Sequence, residues 1–425
     1  MSSEVAAITP TAAPVTAAIL SVGSELLLGD LTDSNATWLS RRLRELGVDV
    51  VHHVAARDEL DELVDALGYL VERVDVILVG GGLGPTVDDL TREAIAAAAG
   101  VALEEHDDLR EAIIARFATM GRTMSAQNLK QARIPAGAQI FPAVGTAPAF
   151  ALTLDTARVI ALPGVPWEMR ALFDRHVVAE VQRLAGPRAT VTRSVHVAGR
   201  GESDVAAVVE PLIEDFDGVT LAFLAHSRAI EVRLTRTAGD PDSARAELQP
   251  AVDAVVAALG SSVAAIDDES LEDTVIRLLV EREQTVATAE SATAGDIASR
   301  LGRVPGASRA LLGGVVVYAT ATKRDLLGID ASLLDTDGPI SPAVTTALAS
   351  AVRARTGAAW AIAVTGVAGP EPVGARPVGT AIWALAHPDG HVEVHERVLS
   401  GDRDQIIARL GTSVLDLLRR RLAEA

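Results

Sequence analysis

Val74-Asp75-Val76-Ile77-Leu78-Val79-Gly80-Gly81-Gly82-Leu83-Gly84-Pro85-Thr86 is a run of β-branched and aliphatic residues that breaks into a glycine-rich turn. An apolar run of this length without polar alternation predicts a strand buried on both faces, as in a parallel sheet. A helix is predicted from near Asp89 to Gly100. Upstream, a strand is predicted over Ala17–Val22 and a helix over Asn35–Leu46. That helix places Leu39, Leu43 and Leu46 on one face, with Ser34 or Asn35 as its cap. A strand at 48–54 and a helix at 60–71 follow, and further on a strand at 159–162 runs into Pro163-Gly164. Alternation of strand and helix predicts a parallel, doubly wound sheet.

The pattern changes between Leu172 and Leu259. Strands at 190–198, 220–224 and 229–235 and helices at 202–214 and 243–259 predict a small α+β unit. The acidic run Asp267-Asp268-Glu269 marks the next boundary. Alternation then returns: helix 271–282, strand 285–289, helix 294–301, strand 314–319, helix 342–356, strand 360–364, strands 378–386 and 392–399, and a last helix at 402–422. The domain expectation is a flexible tail at 1–16, a first α/β domain at 17–172, an α+β domain at 173–262 and a second α/β domain at 263–425.

Composition narrows the chemistry. The chain has 425 residues, a net charge of −19 and no cysteine. Disulfides, thiolate metal sites and a cysteine nucleophile are excluded. An acidic chain argues against nucleic acid as a partner. The segment Val5–Leu20 is apolar, but it carries no basic flank and is interrupted by Pro10 and Pro14. It reads as a tail rather than a signal or anchor, so no membrane partner and a cytoplasmic location are expected.

In the second α/β domain, Glu290-Ser291-Ala292-Thr293-Ala294-Gly295 lies where a strand turns into a helix. Backbone N–H groups converge at such a turn and can hold an oxyanion or a phosphate. The plainer alternative is that Ser291 or Thr293 is only a helix cap. Tyr318 and Lys323 follow a strand, and a desolvated lysine can act as base for a serine where no histidine is near. Thr365-Gly366-Val367-Ala368-Gly369-Pro370 forms a glycine-containing loop after another strand, the place where open α/β sheets take ligands. It lacks the Gly-Lys-Ser/Thr of a phosphate-binding P-loop.

In the first domain, Gly81, Gly82, Gly84 and Thr86 open toward a helix beside Asp88 and Asp89, and Gly23-Ser24-Glu25 follows the first strand. Backbone amides with adjacent carboxylates suit a phosphate and a divalent cation. His391, Glu393 and His395 share one face of a predicted strand, where a solvated face is the expected reading and a metal site the alternative.

Together these motifs resemble the CinA family. Glu290-Ser291-x-Thr293, Tyr318-x4-Lys323, Thr365-Gly366-x-Ala368-Gly369-Pro370 and Pro377-Val378-Gly379-Thr380 resemble its C-terminal domain, a nicotinamide mononucleotide (NMN) amidohydrolase, over about residues 268–425. The glycine loop, Asn128-Leu129-Lys130, Gly145-Thr146-Ala147-Pro148 and Pro163-Gly164-Val165-Pro166 resemble its N-terminal domain, a relative of the MoaB/MogA fold, over about 17–172. The middle segment resembles a KH-type domain but has no Gly-x-x-Gly loop, so a structural or dimer-organising role is expected.

The resemblance implies two doubly wound three-layer α/β domains joined by a small α+β KH-type domain. It implies Ser291 as nucleophile, Lys323 as base with Tyr318 assisting, and Glu290, Thr293, Thr365, Gly366 and Gly369 around the substrate, with no cofactor for the amidase. For the N-terminal domain it implies ADP-ribose cleavage with a divalent metal such as Mg held by Glu25, Asp88 and Asp89. Gly81, Gly82, Gly84, Thr86, Asn128, Lys130, Gly145, Thr146, Pro163 and Gly164 would hold the nucleotide. It also implies a homodimer. The chain departs from the family pattern at Ser24, Ala149, Ala292 and Ala294, and at Glu371-Pro372, where a stiffer loop is expected. Other readings are one active site with the other kept for nucleotide or molybdopterin binding, or a competence-associated protein without enzymatic activity.

Overall fold

The computed structural model describes residues 14–121, 123–225 and 229–424; of the expected tail, residues 1–13 lie outside the described residues. The chain divides into two compact units. One runs up to Val191 and includes Thr237–Arg245, and the other holds Thr192–Arg236 and the chain from Ala246 onward.

The first unit is built on a six-stranded sheet in the order Asp49–Ala56, Thr16–Val22, Val76–Gly80, Ala157–Leu162, Ala149–Leu154, Gln139–Phe141. The first four strands are parallel and the last two antiparallel, so the sheet is mixed rather than wholly parallel. Successive side chains leave opposite faces of a strand. Ala18 and Leu20 therefore join one core with Leu63, Leu67, Ile95 and Ile113. Ala17 and Ile19 join the other with Leu39, Leu43, Leu172 and Phe173. This second core corrects the expected boundary at 172/173: Phe173–Val177, a π-helical turn, and the helix Val178–Ala185 bury Phe173, Val177 and Val181 against the first sheet.

The helix Ser34–Glu45 is capped not by Ser34 or Asn35 but by Asp33, whose carboxylate accepts from Ala36 N at 2.8 Å. The three-residue strands Arg133–Pro135 and Gln139–Phe141 are too short to show alternation in the sequence. The helix Asp107–Thr119 buries only Leu109 and Ile113, so its apolar stripe is faint.

The middle domain has a four-stranded sheet in the order Val219–Ala225, Ile230–Ala238, Ala189–Val197, Val263–Ile266. Its last strand pairs antiparallel with Ala189–Val197, which corrects the boundary at 262/263: the strand belongs to the middle sheet. The C-terminal sheet runs Leu311–Val316, Val286–Glu290, Trp360–Gly366, Thr380–Ala386, Val392–Val398. The first three strands are parallel and the last two antiparallel.

One face of this sheet packs Val286, Ile362 and Trp383 against Leu410, Val414 and Leu418. The other face carries Ala287, Ala289, Ala361, Ala363 and Ala384, and their small side chains bring the helix Pro342–Thr356 close through Val344, Leu348 and Val352. Both α/β domains are thus three layers, helix–sheet–helix. Among the described residues, no helix is long and apolar enough to cross a membrane.

Candidate active site

The strand Val286–Glu290 ends at the centre of its sheet, between Leu311–Val316 and Trp360–Gly366. Central placement buries Glu290, and its carboxylate gathers five donors. These are Thr288 Oγ1 at 3.1 Å, Thr293 Oγ1 at 2.7 Å, and the amides of Gly295, Ile297 and Ala298 at 3.0, 3.1 and 2.8 Å. A carboxylate at the start of a helix satisfies N–H groups that the helix cannot. Glu290 and the Thr293 hydroxyl therefore shape the turn and are not free to grip a substrate, which corrects their expected role.

The turn itself is closed by Ala294 N donating to Ser291 O at 3.0 Å, with Ala294 in the left-handed region at φ 50°. Ser291 is buried. Lys323, from the helix Thr320–Leu327, is 1% exposed, and its Nζ donates to Ser291 Oγ at 3.1 Å and to Val317 O at 2.9 Å. Among the described residues no carboxylate pairs with it. Burial pushes the Lys323 ammonium below its ordinary pKa. A lysine that readily gives up its proton, hydrogen-bonded to a serine hydroxyl, is the arrangement of a serine–lysine nucleophile.

An oxyanion forming on a carbonyl attacked by Ser291 needs donors beside it. Ser291 N is committed to Val364 O at 3.1 Å, and Asp296 N to Thr293 O at 3.0 Å. Within the turn, the amides of Ala292 and Thr293 have no acceptor among the described residues and are the ones free for this task.

Tyr318 differs from expectation. It lies past the end of the strand Leu311–Val316 and is 54% exposed, and its hydroxyl accepts from Arg403 Nη2 at 2.8 Å rather than meeting Ser291 or Lys323. Arg403 Nη1 also donates to Gly369 O at 2.6 Å. This arginine, at the start of the last helix, brings a cation to the Tyr318–Gly369 rim and was not legible as a site residue, because nothing local distinguishes it from other surface arginines. Thr365 is buried with its Oγ1 2.7 Å from Thr345 Oγ1, facing a helix rather than a ligand. At Gly366 a Cβ would lie 2.5 Å from Thr380 O, so close strand packing accounts for the glycine.

In the N-terminal domain the expected residues separate into three groups. Glu25, Gly81 and Gly164 line one cavity of about 320 Å³ at the C-terminal ends of the parallel strands, with Ser21, Asp33 and Asn35. Gly81 N donates to Leu162 O at 3.0 Å, which ties the loop to Pro163 and Gly164. The second group is a clamp on the glycine loop. Asp89 accepts from Gly84 N and Thr86 N, both at 2.8 Å, and from Thr86 Oγ1 at 2.5 Å. Lys130 Nζ donates to Thr86 O at 3.1 Å and Asp89 O at 2.6 Å and pairs with Glu93 at 3.3 Å.

These bonds correct the expected phosphate roles of Gly84, Thr86 and Lys130 and the metal role of Asp89, since the donors and acceptors already satisfy one another. Asn128 is buried and donates to Gln131 Oε1 at 3.3 Å. Gly82 packs on Thr91, where a Cβ would lie 2.2 Å from Oγ1. Arg92 is fully buried beneath the loop and donates to Leu83 O and Gly84 O, both at 2.7 Å. It too was missed, because the sequence shows it only as a charge early in a helix. In the third group, Gly145 packs on the Glu168 carboxyl, which the Thr146 amide hydrogen-bonds; burial raises the Glu168 pKa.

Asp88 is exposed. Among the described residues, no group of three or more His, Asp or Glu side chains is placed to hold a metal ion. Glu25, Asp88 and Asp89 thus do not fit a ready metal cage. Ser24, one of the departures from the family pattern, donates through N and Oγ to Asp58 at 2.8 and 2.9 Å. On the C-terminal edge strand, His395 bonds Glu393 at 2.8 Å, and Arg421 grips the same carboxylate at 2.7 and 2.8 Å, so this face is an ion-pair lock and not a metal site.

Two three-layer α/β domains, with a small α+β domain between them in the sequence and a buried serine–lysine pair at a strand-to-helix turn of the second, define a three-domain α/β protein. Residues 268–422 match the CinA C-terminal domain, residues 192–264 the KH domain of damage-inducible protein CinA, and residues 18–183 a probable molybdopterin binding domain. A CinA-like protein of Frankia casuarinae is 44% identical over 96% of each chain. One from Anaeromyxobacter dehalogenans is 38% identical over 94% of this chain and 98% of the relative. A competence damage-inducible protein A from Klebsiella pneumoniae, solved as a crystal structure, is 31% identical and covers 36% of this chain and 94% of its own, with a TM-score of 0.35. The chain belongs to the CinA family.

Proposed function

We propose that the protein hydrolyses the carboxamide of NMN to nicotinate mononucleotide and ammonia at Ser291, and that the N-terminal domain cleaves ADP-ribose at its diphosphate. The observation that carries the first activity is the 3.1 Å contact between Lys323 Nζ and Ser291 Oγ, with Lys323 buried and without a paired carboxylate. In this reading neutral Lys323 takes the Ser291 proton as Oγ attacks the carboxamide carbon, the amides of Ala292 and Thr293 hold the oxyanion, and the lysine returns the proton to the departing ammonia. Water then hydrolyses the acyl-enzyme. Arg403, on the rim with Tyr318 and Gly369, supplies a cation for the nucleotide's phosphate.

The N-terminal activity is supported by the cavity at the C-terminal strand ends, where doubly wound sheets bind nucleotides. The same proposal gives that cleavage a divalent ion. Incubation with NMN, reading ammonia and nicotinate mononucleotide, tests the amidase. Parent protein should release both, and Ser291→Ala and Lys323→Met neither. Absence of ammonia from folded parent overturns the amidase assignment. ADP-ribose with and without added Mg²⁺ tests the second activity.

A further inference from the structure

The edge strand Val392–Val398 and the last helix, Arg403–Glu424, enclose a cavity of about 160 Å³ within the second compact unit. His395 and Arg397, two residues apart, leave the same face of the strand. Asp416 and Arg420, one turn apart, face them from the helix. The Trp383 and His395 rings lie stacked against one side, with centroids 5.6 Å apart and planes 18° from parallel. Gly199, from the middle domain, closes another side. Its φ of 75° favours glycine, and a Cβ there would lie 2.9 Å from Arg420 Nη2, so the loop backbone seats directly against that guanidinium. Ser291, Lys323 and Arg403 do not line this cavity.

Its charge is unusual for this chain, in which 57 acidic residues outnumber 38 basic ones. Asp416 is the one carboxylate on the wall, and both its oxygens are spent. Oδ1 accepts from Arg419 Nε at 3.0 Å and Nη2 at 2.7 Å, and Oδ2 from Arg420 Nη2 at 2.5 Å. Two guanidiniums thus share one carboxylate. Arg420 commits one of its five N–H groups, and Arg397 commits none among the described residues. Arg397 is exposed and the Arg420 side chain is one third exposed, so these donors are within reach of a solute. Unspent guanidinium donors on two facing walls, beside a carboxylate already neutralised, suit an oxyanion.

We propose that this cavity is a second anion site, which takes a phosphate group between Arg397 and Arg420. The cavity is smaller than the roughly 300 Å³ at which pockets begin to enclose a drug-sized ligand, so it takes one tetrahedral group and not a nucleotide base beside it. The phosphate is free or is the monoester of a small sugar. Asp416 holds the Arg420 guanidinium in place and does not touch the anion. The site is separate from both proposed activities and takes no part in bond cleavage.

The test is calorimetric titration of the full-length protein with inorganic phosphate and with ribose 5-phosphate, at an ionic strength held constant with sodium chloride. Arg403→Gln is the starting protein, because Arg403 is the cation assigned to the phosphate of NMN. It should still bind phosphate saturably. Adding Arg397→Gln should weaken that binding about tenfold or more, the scale of a hydrogen bond to a charged group. Arg397→Lys keeps the charge but loses the planar fork, and should fall between the two. With Arg403 intact, Arg397→Gln should leave ammonia release from NMN unchanged.

Binding of either probe that depends on Arg397 upholds the site, and the probe that binds names the source of the phosphate. Absence of saturable binding to the Arg403→Gln protein overturns the proposal. Binding that Arg397→Gln leaves unchanged also overturns it, since the anion then sits elsewhere. Arg397 is exposed and makes no bond that its replacement would break, so its variants keep the fold, and an unchanged circular dichroism spectrum checks this.

Discussion

Lys323 carries a cost that the amidase chemistry explains. Folding lowers its pKa, so the unfolded chain holds the proton more tightly, and the penalty is largest at low and neutral pH. It fades as pH rises from the folded value toward the ordinary 10.5. Lys323→Met should therefore abolish ammonia release yet raise stability at pH 7 by roughly 1–2 kcal/mol, read from urea unfolding, with the gain shrinking as pH approaches 10. The rate of the parent should climb with pH as Lys323 loses its proton and level off below 10.5. A flat profile would speak against lysine as the base.

Ala294 makes a second prediction at this scale. Its φ of 50° lies in the left-handed region, where a Cβ is strained by about 1–2 kcal/mol. Part of the relief is lost to the greater freedom of unfolded glycine. Ala294→Gly should raise stability by about 0.5–1 kcal/mol, and a drop in the unfolding midpoint would contradict this account of the turn.

At the scale of elements, the strand Val286–Glu290 and the helix Asp296–Gly302 are joined through one carboxylate. Glu290→Gln replaces an acceptor of five donors with a group that is half donor, leaving N–H groups facing N–H. The expected loss is about 2 kcal/mol or more, with kcat falling more than KM rises because the turn holding Ser291 loosens. Fluorescence-monitored unfolding and steady-state kinetics read both.

The strand Val392–Val398 is fastened to the last helix by Glu393, whose carboxyl is held down to about 2 by Arg421 and His395. Its pKa is depressed on folding, so its contribution is present above the ordinary 4.5 and is lost as pH falls through the folded value. Glu393→Gln should destabilise the protein at pH 7 and make little difference near pH 2. An equal loss at both pH values would show that the pair acts by packing rather than charge.

At the scale of the molecule, the two candidate sites lie in separate compact units, so Ser291→Ala should abolish ammonia release and leave ADP-ribose cleavage unchanged. The homodimer implied by the family is checked by light scattering on eluted protein, where it should appear at about 88 kDa, twice the 44.2 kDa chain. The α/β layering was legible because alternation of apolar strands with amphipathic helices is a local pattern: the helices Leu60–Val71 and Pro342–Thr356 stand at the bounds their periodicity predicts.

Local pattern also marked Ser291 and Lys323, since a serine at a strand-to-helix turn and a lysine five residues past Tyr318 are properties of the string of residues. Partnership is not such a property. Whether Lys130 faces a phosphate or the carbonyls of its own loop, whether Glu290 binds substrate or five donors of its turn, and whether Tyr318 meets Lys323 or Arg403 depend on distances between segments far apart in the chain. Hydrogen bonds act only at contact range, and the tertiary structure alone brings those donors and acceptors within it.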